Sequence, residues 1–367
     1  MYGNFSIIIL IIVIGFLSAA VEKHVEADRY TSEDVFKRSI MPKDDDMWNP
    51  QIKYYIKDNY DPYGFIAQSL NDIEKHTCIR FSRQMKPFSK EFGIIFDNTC
   101  SKMENKTSSD KPVYFKVPKQ CELSLGCYKK HLFQVLVFRS VKIKKNRKEL
   151  SEGERKTIIF NEDRDYSSVS FGGVDKNIAS SCPPYYGNMF GFKDTYSFND
   201  LKLLNARYCQ STCSFNCLPC LNDGYQSPID CSVCTCPPGY NGRLCENLDE
   251  SDATCPRYSY LAERKKKTIT ICGGRDCLFL LEAPKGYKIV VEIDYALSRK
   301  EYPCYRSNGI EIKYTKDKGK GGLCLCGYYE NVTLPARSNT VFVSFKGKKN
   351  AIAMSFSYYT IFDEKDC

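Results

Sequence analysis

The sequence predicts an α+β domain followed by a small disulfide-rich module and an all-β sandwich. Three observations support this fold class. Residues 48–209 combine a strand-like segment at 52–56 with a helical rhythm of apolar residues over 64–74. Residues 210–246 are dense in cysteine, glycine and proline and have almost no apolar periodicity, so they need disulfides to hold a structure. From residue 255 onward, segments rich in β-branched and aromatic residues alternate with turn-forming residues.

The last part of the chain is interpreted as a sandwich at 255–367. Strands are expected at 287–295, 309–314, 340–345 and 351–359, and one more is expected in the first part at 93–96. Strands of this composition, separated by Gly, Lys and Asn, favour a sandwich of about 110 residues.

The cysteine content indicates an oxidising compartment. The chain has 367 residues, 43% of them hydrophobic and 26% charged, which is ordinary for a globular protein of two or three domains. Its 20 cysteines are unusual, since an even number of this size, spread from Cys78 to Cys367, is typical of a disulfide framework.

The N-terminus predicts secretion. An apolar run at 7–17 is followed by the small residues Ser-Ala-Ala, so we expect a signal peptide at 1–20. The run is too short to cross a hydrocarbon core about 30 Å thick, and no later segment could do so. Residues 21–47 are polar and are interpreted as a leader or pro-segment. We therefore expect a secreted, extracellular protein without a membrane span.

Charge and sequons describe the expected surface. The net charge is +9, and its local sources are the basic runs at 142–148 and 264–267. A secreted chain rarely meets nucleic acid, so these runs are interpreted either as a contact for sulfated glycans or as solvated loops. Sequons at Asn105 and Asn331 predict glycosylation of the surface.

Three landmarks of residues 48–209 occur in a recognisable order. Trp48 opens the strand-like region, Ile-Glu-Lys-His-Thr-Cys-Ile-Arg-Phe at 73–81 surrounds the first cysteine, and Asn-Ala-Arg-Tyr-Cys at 205–209 closes the region. Together they resemble the opening strand, first-cysteine signature and closing helix of the astacin family of zinc metalloproteases. The resemblance implies a metzincin-like α+β protease domain. The disulfides that it implies are Cys78–Cys209 and Cys100–Cys121.

The cysteine spacing of residues 210–246 is also informative. A Cys-x-Cys pair at 234–236 is followed by Cys245, which is similar to an epidermal-growth-factor-like (EGF-like) module and implies the disulfide Cys236–Cys245. Either Cys213 or Cys217 could be the first cysteine of the module. A zinc knot is the alternative for such a cluster, but the predicted secretion and the EGF-like cysteine spacing argue against it.

Residues 255–367 have the strand and turn Cys-Leu-Phe-Leu-Leu-Glu-Ala-Pro-Lys-Gly at 277–286 and a Cys-Gly pair at 326–327. These features resemble a CUB domain. Astacin, EGF-like and CUB modules in this order are typical of the nematode branch of the family. The disulfides that this resemblance implies are Cys255–Cys277 and Cys304–Cys326.

The resemblance leaves the pairing of seven cysteines open. These are Cys127, Cys182, Cys213, Cys217, Cys272, Cys324 and Cys367. We suggest the pairs Cys127–Cys182 and Cys272–Cys324.

The chemistry of the astacin family depends on the motif His-Glu-x-x-His-x-x-Gly-x-x-His. Its histidines hold zinc, and its glutamate is the general base for a zinc-bound water, whose pKa the metal lowers to about 7. Anchored on Gly126 and Phe138, the ligand positions of this chain hold Lys130, Gln134 and Ser140, and the general-base position holds His131. Lysine is a cation, and Gln and Ser are poor zinc ligands.

Two further observations agree with the loss of the zinc ligands and the general base. The chain has three histidines, His24, His76 and His131, and no pair of them has helical ligand spacing. Ser170 stands at the methionine position of the family's Met-turn. We therefore expect no zinc, no other cofactor and no catalytic residue.

The sequence predicts a pseudo-peptidase, which is not an enzyme and binds extracellular proteins through its cleft or its EGF-CUB tail. One alternative is a secreted zinc metalloendopeptidase with a non-standard site. The other is an extracellular matrix or adhesion protein, in which the protease-like region is a spacer.

Overall fold

A computed structural model describes the chain from residue 49 to residue 363 with gaps. The described residues are 49–57, 60–61, 63–91, 93–97, 111–116, 123–138, 165–171, 183–213, 217–306, 309–348 and 352–363. All of them fall within one compact unit, Asp46–Cys367. Among the described helices, none has the length and apolarity that a membrane span requires. The predicted signal peptide, leader and Asn105, together with Cys100, Cys121 and Ser140, lie outside the described residues.

The described residues of the first part form a parallel sheet and three α-helices. The strands are β1 (Gln51–Ile56), β2 (Arg80–Arg83), β3 (Gly93–Phe96) and β4 (Val113–Phe115), and the helices are α1 (Phe65–Glu74), α2 (Leu125–Phe138) and α3 (Phe198–Tyr208). The sheet order is β2-β1-β3-β4, and every neighbouring pair is parallel. The predicted strands at 52–56 and 93–96 and the helix over 64–74 are thus confirmed.

Local sequence explains where α1 begins. The side chain of Asp61 accepts hydrogen bonds from the backbone N–H groups of Ile66 at 3.1 Å and Ala67 at 3.3 Å, which satisfies donors that a helix start leaves free. The apolar residues of α1 then fall on one face. Ile66 and Ile73 are buried there against the sheet and α2.

A disulfide joins the two ends of this first part. Cys78 follows α1 and is bonded to Cys209, which follows α3. Their sequence separation is 131 residues, so the bond closes a long loop. Cys127 in α2 is also disulfide-bonded, and Cys182, the partner that we suggested, lies outside the described residues.

The cysteine-rich stretch has little regular structure apart from two short hairpins. Their strands are β5 (Tyr225–Gln226), β6 (Cys234–Thr235), β7 (Tyr240–Asn241) and β8 (Asn247–Leu248). Three disulfides hold it, namely Cys213–Cys231, Cys220–Cys234 and Cys236–Cys245. The pairing therefore uses Cys213, and Cys217 is free and exposed.

The last part is a two-sheet sandwich, as its strand pattern predicts. The strands are β9 (Ser259–Leu261), β10 (Lys267–Cys272), β11 (Asp276–Glu282), β12 (Tyr287–Leu297), β13 (Ile310–Lys313), β14 (Leu323–Leu325), β15 (Tyr328–Leu334), β16 (Thr340–Lys346) and β17 (Ala353–Phe362). One sheet has the order β10-β17-β12-β15 and the other β14-β13-β16-β11-β9. The disulfides Cys255–Cys277 and Cys304–Cys326 are present.

The suggested pair Cys272–Cys324 is wrong. Cys272 ends β10 in the first sheet and is exposed, whereas Cys324 lies in β14 of the second sheet and is buried. The backbone N–H of Cys324 points at the sulfur of Met189, 3.3 Å away. Both thiols are free, so no disulfide joins them.

A segment of the first part packs into the sandwich core. The 3-10 helix Pro184–Met189 places Tyr186 and Met189 in that core, and Phe190 follows them. The side chain of Asn188 donates to the carbonyl of Cys326 at 3.1 Å. The backbone N–H of Cys304 in turn donates to the carbonyl of Asn188 at 2.7 Å. The sandwich is therefore completed by residues that precede residue 210 in the sequence.

The Cys78–Cys209 disulfide should contribute strongly to stability. We expect Cys78→Ser combined with Cys209→Ser to lower the free energy of unfolding by about 2–4 kcal/mol, because the unfolded chain regains the freedom of a long loop. Denaturant unfolding of the purified protein measures this. The matched control is Cys272→Ser, which removes a free, exposed thiol and should leave stability nearly unchanged. Equal stability of the two variants would contradict the prediction.

Candidate functional site

Helix α2 carries the positions at which the resemblance places the catalytic motif. It begins so close to a neighbouring segment that a Cβ at position 126 would lie 2.7 Å from the backbone nitrogen of Lys193. Glycine is therefore required at Gly126 for a steric reason. The Gly126 N–H also donates to Oδ1 of Asp194 at 3.0 Å. The segment 192–194 thus lies directly against the first turn of α2.

Lys130 and Gln134, at two ligand positions, lie one turn apart on α2 and are half-buried. The ammonium of Lys130 lies 5.9 Å from the centre of the Phe192 ring, within the range of a cation–π contact. Burial lowers the pKa of Lys130 below its usual value. This side chain is therefore placed against an aromatic ring by the same close approach that requires Gly126.

His131, at the general-base position, is half-buried and meets the ring of Phe115 edge-on, with 6.5 Å between the ring centroids. Burial lowers the pKa of His131, and the charge of Lys130 lowers it further, while a hydrogen bond with the Gln134 side chain opposes the shift. The imidazole is therefore neutral near neutral pH, the form that can accept a proton.

A zinc ion does not fit the side chains at these positions. The ammonium of Lys130 carries a positive charge, and the amide of Gln134 is a poor ligand for zinc. Nowhere in the described part of the chain do three His, Cys, Asp or Glu side chains form a group that could hold a metal. Because Ser140 lies outside the described residues, our expectation that the protein binds no zinc stays a prediction.

Lys129 is the important residue of α2 that sequence reasoning missed. It is 1% exposed, and its ammonium is paired with the carboxylate of Asp72 in α1 and hydrogen-bonded to the carbonyl of Asp194. The ammonium also lies 5.3 Å from the centre of the Tyr196 ring. Lys129 and Lys130 look equivalent in the sequence, and only the packing separates the buried cation from the half-exposed one.

The Met-turn position, Ser170, lies in a short 3-10 helix, Val169–Phe171. The carboxylate of Asp200 holds this turn, since it accepts hydrogen bonds from the Ser168 hydroxyl and from the Val169 N–H at 3.0 Å. Asp200 also forms a capping box with Ser197 at the start of α3. The Ser-x-x-Asp spacing of that box is a pattern by which the start of α3 can be recognised in the sequence.

The carboxylates of Asp165 and Asp200 lie near the buried ammonium of Lys193. Asp165 accepts hydrogen bonds from the Ser197 hydroxyl at 2.9 Å and from the Gly321 N–H of the sandwich at 3.2 Å. Burial raises the pKa of Asp165, and it raises that of Asp200 to about 6. Burial also lowers the pKa of Lys193 to about 8, and its ammonium has no hydrogen-bond partner among the described residues. Donors of the protein itself therefore hold both carboxylates.

The Lys129 ion pair can be tested by substitution. We expect Lys129→Met to destabilise the protein by about 1–3 kcal/mol, because the change leaves the Asp194 carbonyl and the partly exposed carboxylate of Asp72 without their partner. Thermal or denaturant unfolding measures the loss. Lys130→Met, one residue away and half-buried, is the matched control and should have a much smaller effect. Similar losses in the two variants would show that the Lys129 contacts contribute little.

The raised pKa of Asp200 predicts a pH dependence of stability. Its native pKa of about 6 lies above the usual 3.8, so between these values the native state holds a proton that the unfolded state releases. The contribution of Asp200 to stability should therefore fall as the pH rises through this interval, by about 1.4 kcal/mol per pH unit. Urea unfolding at several pH values should show a shallower decline in Asp200→Asn than in the original protein. Parallel curves would contradict the assignment.

Comparison with known proteins identifies relatives of this chain. No family model matches it. Zinc metalloproteinase nas-34 of Caenorhabditis elegans is 32% identical over 194 residues, which cover 53% of this chain and 32% of the relative. Zinc metalloproteinase nas-23 of the same organism is 33% identical over 175 residues (45% and 32%), and dpy-31 of Brugia malayi is 30% identical over 152 residues (39% and 25%). The chain spans about a third or less of the length of these relatives.

A solved structure is also similar to part of the chain. It is the CUB1-EGF-CUB2 domain of human MASP-1/3, which is 17% identical and has a TM-score of 0.24. The match covers 35% of this chain and 50% of that structure. A similarity of this size is too low to support an argument about the site.

The relatives overturn one prediction. The lost motif led us to expect a protein that is not an enzyme, but the named homologues are zinc metalloproteinases and point to a protease. The inference from the substituted ligand and general-base positions was too strong. Over about half of its length, this chain is homologous to nematode zinc metalloproteinases of the astacin family.

Proposed function

We propose that the chain is an extracellular endopeptidase of the astacin type with a non-standard active site, and that its EGF-like and CUB modules bind protein partners. The observation that carries the proposal is the homology to several proteins named zinc metalloproteinases. The disulfides of the described residues support an oxidising, extracellular location.

His131 is the side chain to which we assign the proton transfer. It occupies the general-base position of the motif, and its lowered pKa keeps the imidazole neutral and able to accept a proton from water. The hydrogen bond with Gln134 orients the ring. No step is assigned to a metal, because Lys130 and Gln134 do not fit zinc.

The basic run at 264–267 in the sandwich bears on whether the chain binds sulfated glycans. The basic run at 264–267 is less available to sulfated glycans than its sequence suggests, because Lys266 pairs with Glu292 and Lys267 with Glu263. The guanidinium of Arg264 lies 5.7 Å from the centre of the Tyr287 ring. The other basic run, 142–148, lies outside the described residues.

Peptidase activity of the full-length secreted protein tests the proposal. We expect hydrolysis of a casein or gelatin substrate and a decrease of about 100-fold in His131→Ala, the typical contribution of a general base. His76→Ala is the matched control, because this other histidine is exposed and lies at the end of α1, away from the motif helix. Absence of hydrolysis, or equal rates in the two variants, would refute the proposed site.

Metal analysis of the same preparations tests the donor set. Because Gln134 does not fit zinc, Gln134→Ala should leave the metal content of the protein unchanged. A variant with Lys130→His, His131→Glu, Gln134→His and Ser140→His restores the ligands and base of the family motif and should gain zinc. If only this restored variant cleaves the substrate, the original chain is a binding protein and the proposed activity is wrong.

A further inference from the structure

Strand β15 is an edge of the sandwich. Its neighbour in the sheet is β12, and within the described ranges no strand pairs with its other side. An open edge exposes backbone N–H and C=O groups that can pair with another chain, and proteins protect such edges with bulges, charges or a cover. The residues of β15 show how this edge is protected.

Asn331 interrupts the regular pairing of β15. Val332 lies opposite Ile293 and Glu330 lies opposite Tyr295, so one residue of each strand, Asn331 and Asp294, stands between two paired rungs. Asn331 is exposed and has a φ of 53°, in the left-handed region that asparagine tolerates better than most residues. The left-handed backbone at Asn331 departs from the extended conformation of the strand, and its side chain is exposed.

The sequon Asn331-Val332-Thr333 is therefore accessible in the folded chain. Thr333 is exposed as well, whereas Val332 between them packs partly against the sandwich core. Both residues that the glycosylation reaction recognises thus face solvent, and the middle residue anchors the segment.

Three large side chains lie exposed beside Asn331, and we call Tyr295, Leu297 and Tyr328 the edge patch. Their exposed fractions are 37%, 48% and 62%. They are adjacent across the strands, since Tyr295 lies opposite Glu330 and Leu297 lies opposite Tyr328. The Tyr328 hydroxyl donates to a carboxylate oxygen of Glu330 at 2.6 Å, which directs the ring along the strand towards Asn331.

We propose that Asn331 carries an N-linked glycan whose first sugars pack on the edge patch and shield the edge strand β15. The apolar faces of sugar rings pack well on aromatic and aliphatic side chains, and the edge patch offers such a surface within reach of Asn331. A bulky, hydrated glycan also blocks the approach of a second strand. The inference rests on the extracellular location in the proposed function, but not on peptidase activity.

The first test is glycan occupancy in the full chain secreted from eukaryotic cells. Peptide mapping by mass spectrometry, before and after enzymatic removal of N-glycans, should find Asn331 modified. Asn331→Gln and Thr333→Ala should each remove one glycan, and Thr333→Ser, which keeps the sequon, should retain it. Recovery of Asn331 in the unmodified form would overturn the proposal.

The second test asks whether the glycan sits on the edge patch. Loss of the glycan should lower the melting temperature by about 2–4 °C. It should also increase self-association in size-exclusion chromatography. Tyr328→Ala should lower the melting temperature in the glycosylated protein and much less in the Asn331→Gln background. Equal effects of Tyr328→Ala in the two backgrounds would show that the glycan does not pack there.

Two controls separate the possible failures. Asn105→Gln removes the other sequon and should leave both the melting temperature and the oligomeric state unchanged. Peptidase rates measured on the same samples report on the proposed function independently, because occupancy and melting do not depend on catalysis. If Asn331→Gln forms a defined dimer, the edge binds a second copy of the chain when uncovered, as the shielding role requires.

Discussion

The close approach of residues 192–194 to the first turn of α2 is the contact on which the site depends. It is possible only because Gly126 has no side chain. The approach brings the Asp194 carbonyl to the buried ammonium of Lys129 and the Phe192 ring to Lys130. On its other side, the segment contacts Tyr305 of the sandwich, whose hydroxyl donates to the Phe192 carbonyl at 3.3 Å. One short stretch of backbone therefore links the motif helix to the last part of the chain.

The sequence predicted the sandwich, the strands at 52–56 and 93–96 and α1 because their patterns are local. The β-branched and aromatic composition of β12, β13, β16 and β17 and the helical rhythm of α1 need only neighbouring residues to be recognised. Long-range packing was not predictable in the same way. Lys129 and Lys130 differ only in which face of α2 each occupies. The suggested pair Cys272–Cys324 failed because only the fold shows that one of these free thiols is exposed and the other is buried. The pairing of Cys213 also needed the folded module.

The motif positions show that a fold and its chemistry are separable. Leu132 and Leu136 are buried on α2 and hold it in the core, whereas Lys130 and Gln134 are only half-buried. Substitution at the half-buried positions leaves the packing of the helix intact, so the fold places little restriction on the chemistry there. This is why homology to metalloproteinases and a changed donor set can occur in one chain.

The 3-10 helix Pro184–Met189 has a consequence for how this protein can be divided. Tyr186, Met189 and Phe190 precede the cysteine-rich module in the sequence but fill the core of the sandwich that follows it. A fragment that begins at residue 210 would lack these side chains and contain a cavity in their place. The boundaries between the modules in the sequence are therefore not boundaries of cooperative unfolding. The sandwich depends on residues of the domain before it, so it could not be transferred to another protein without them.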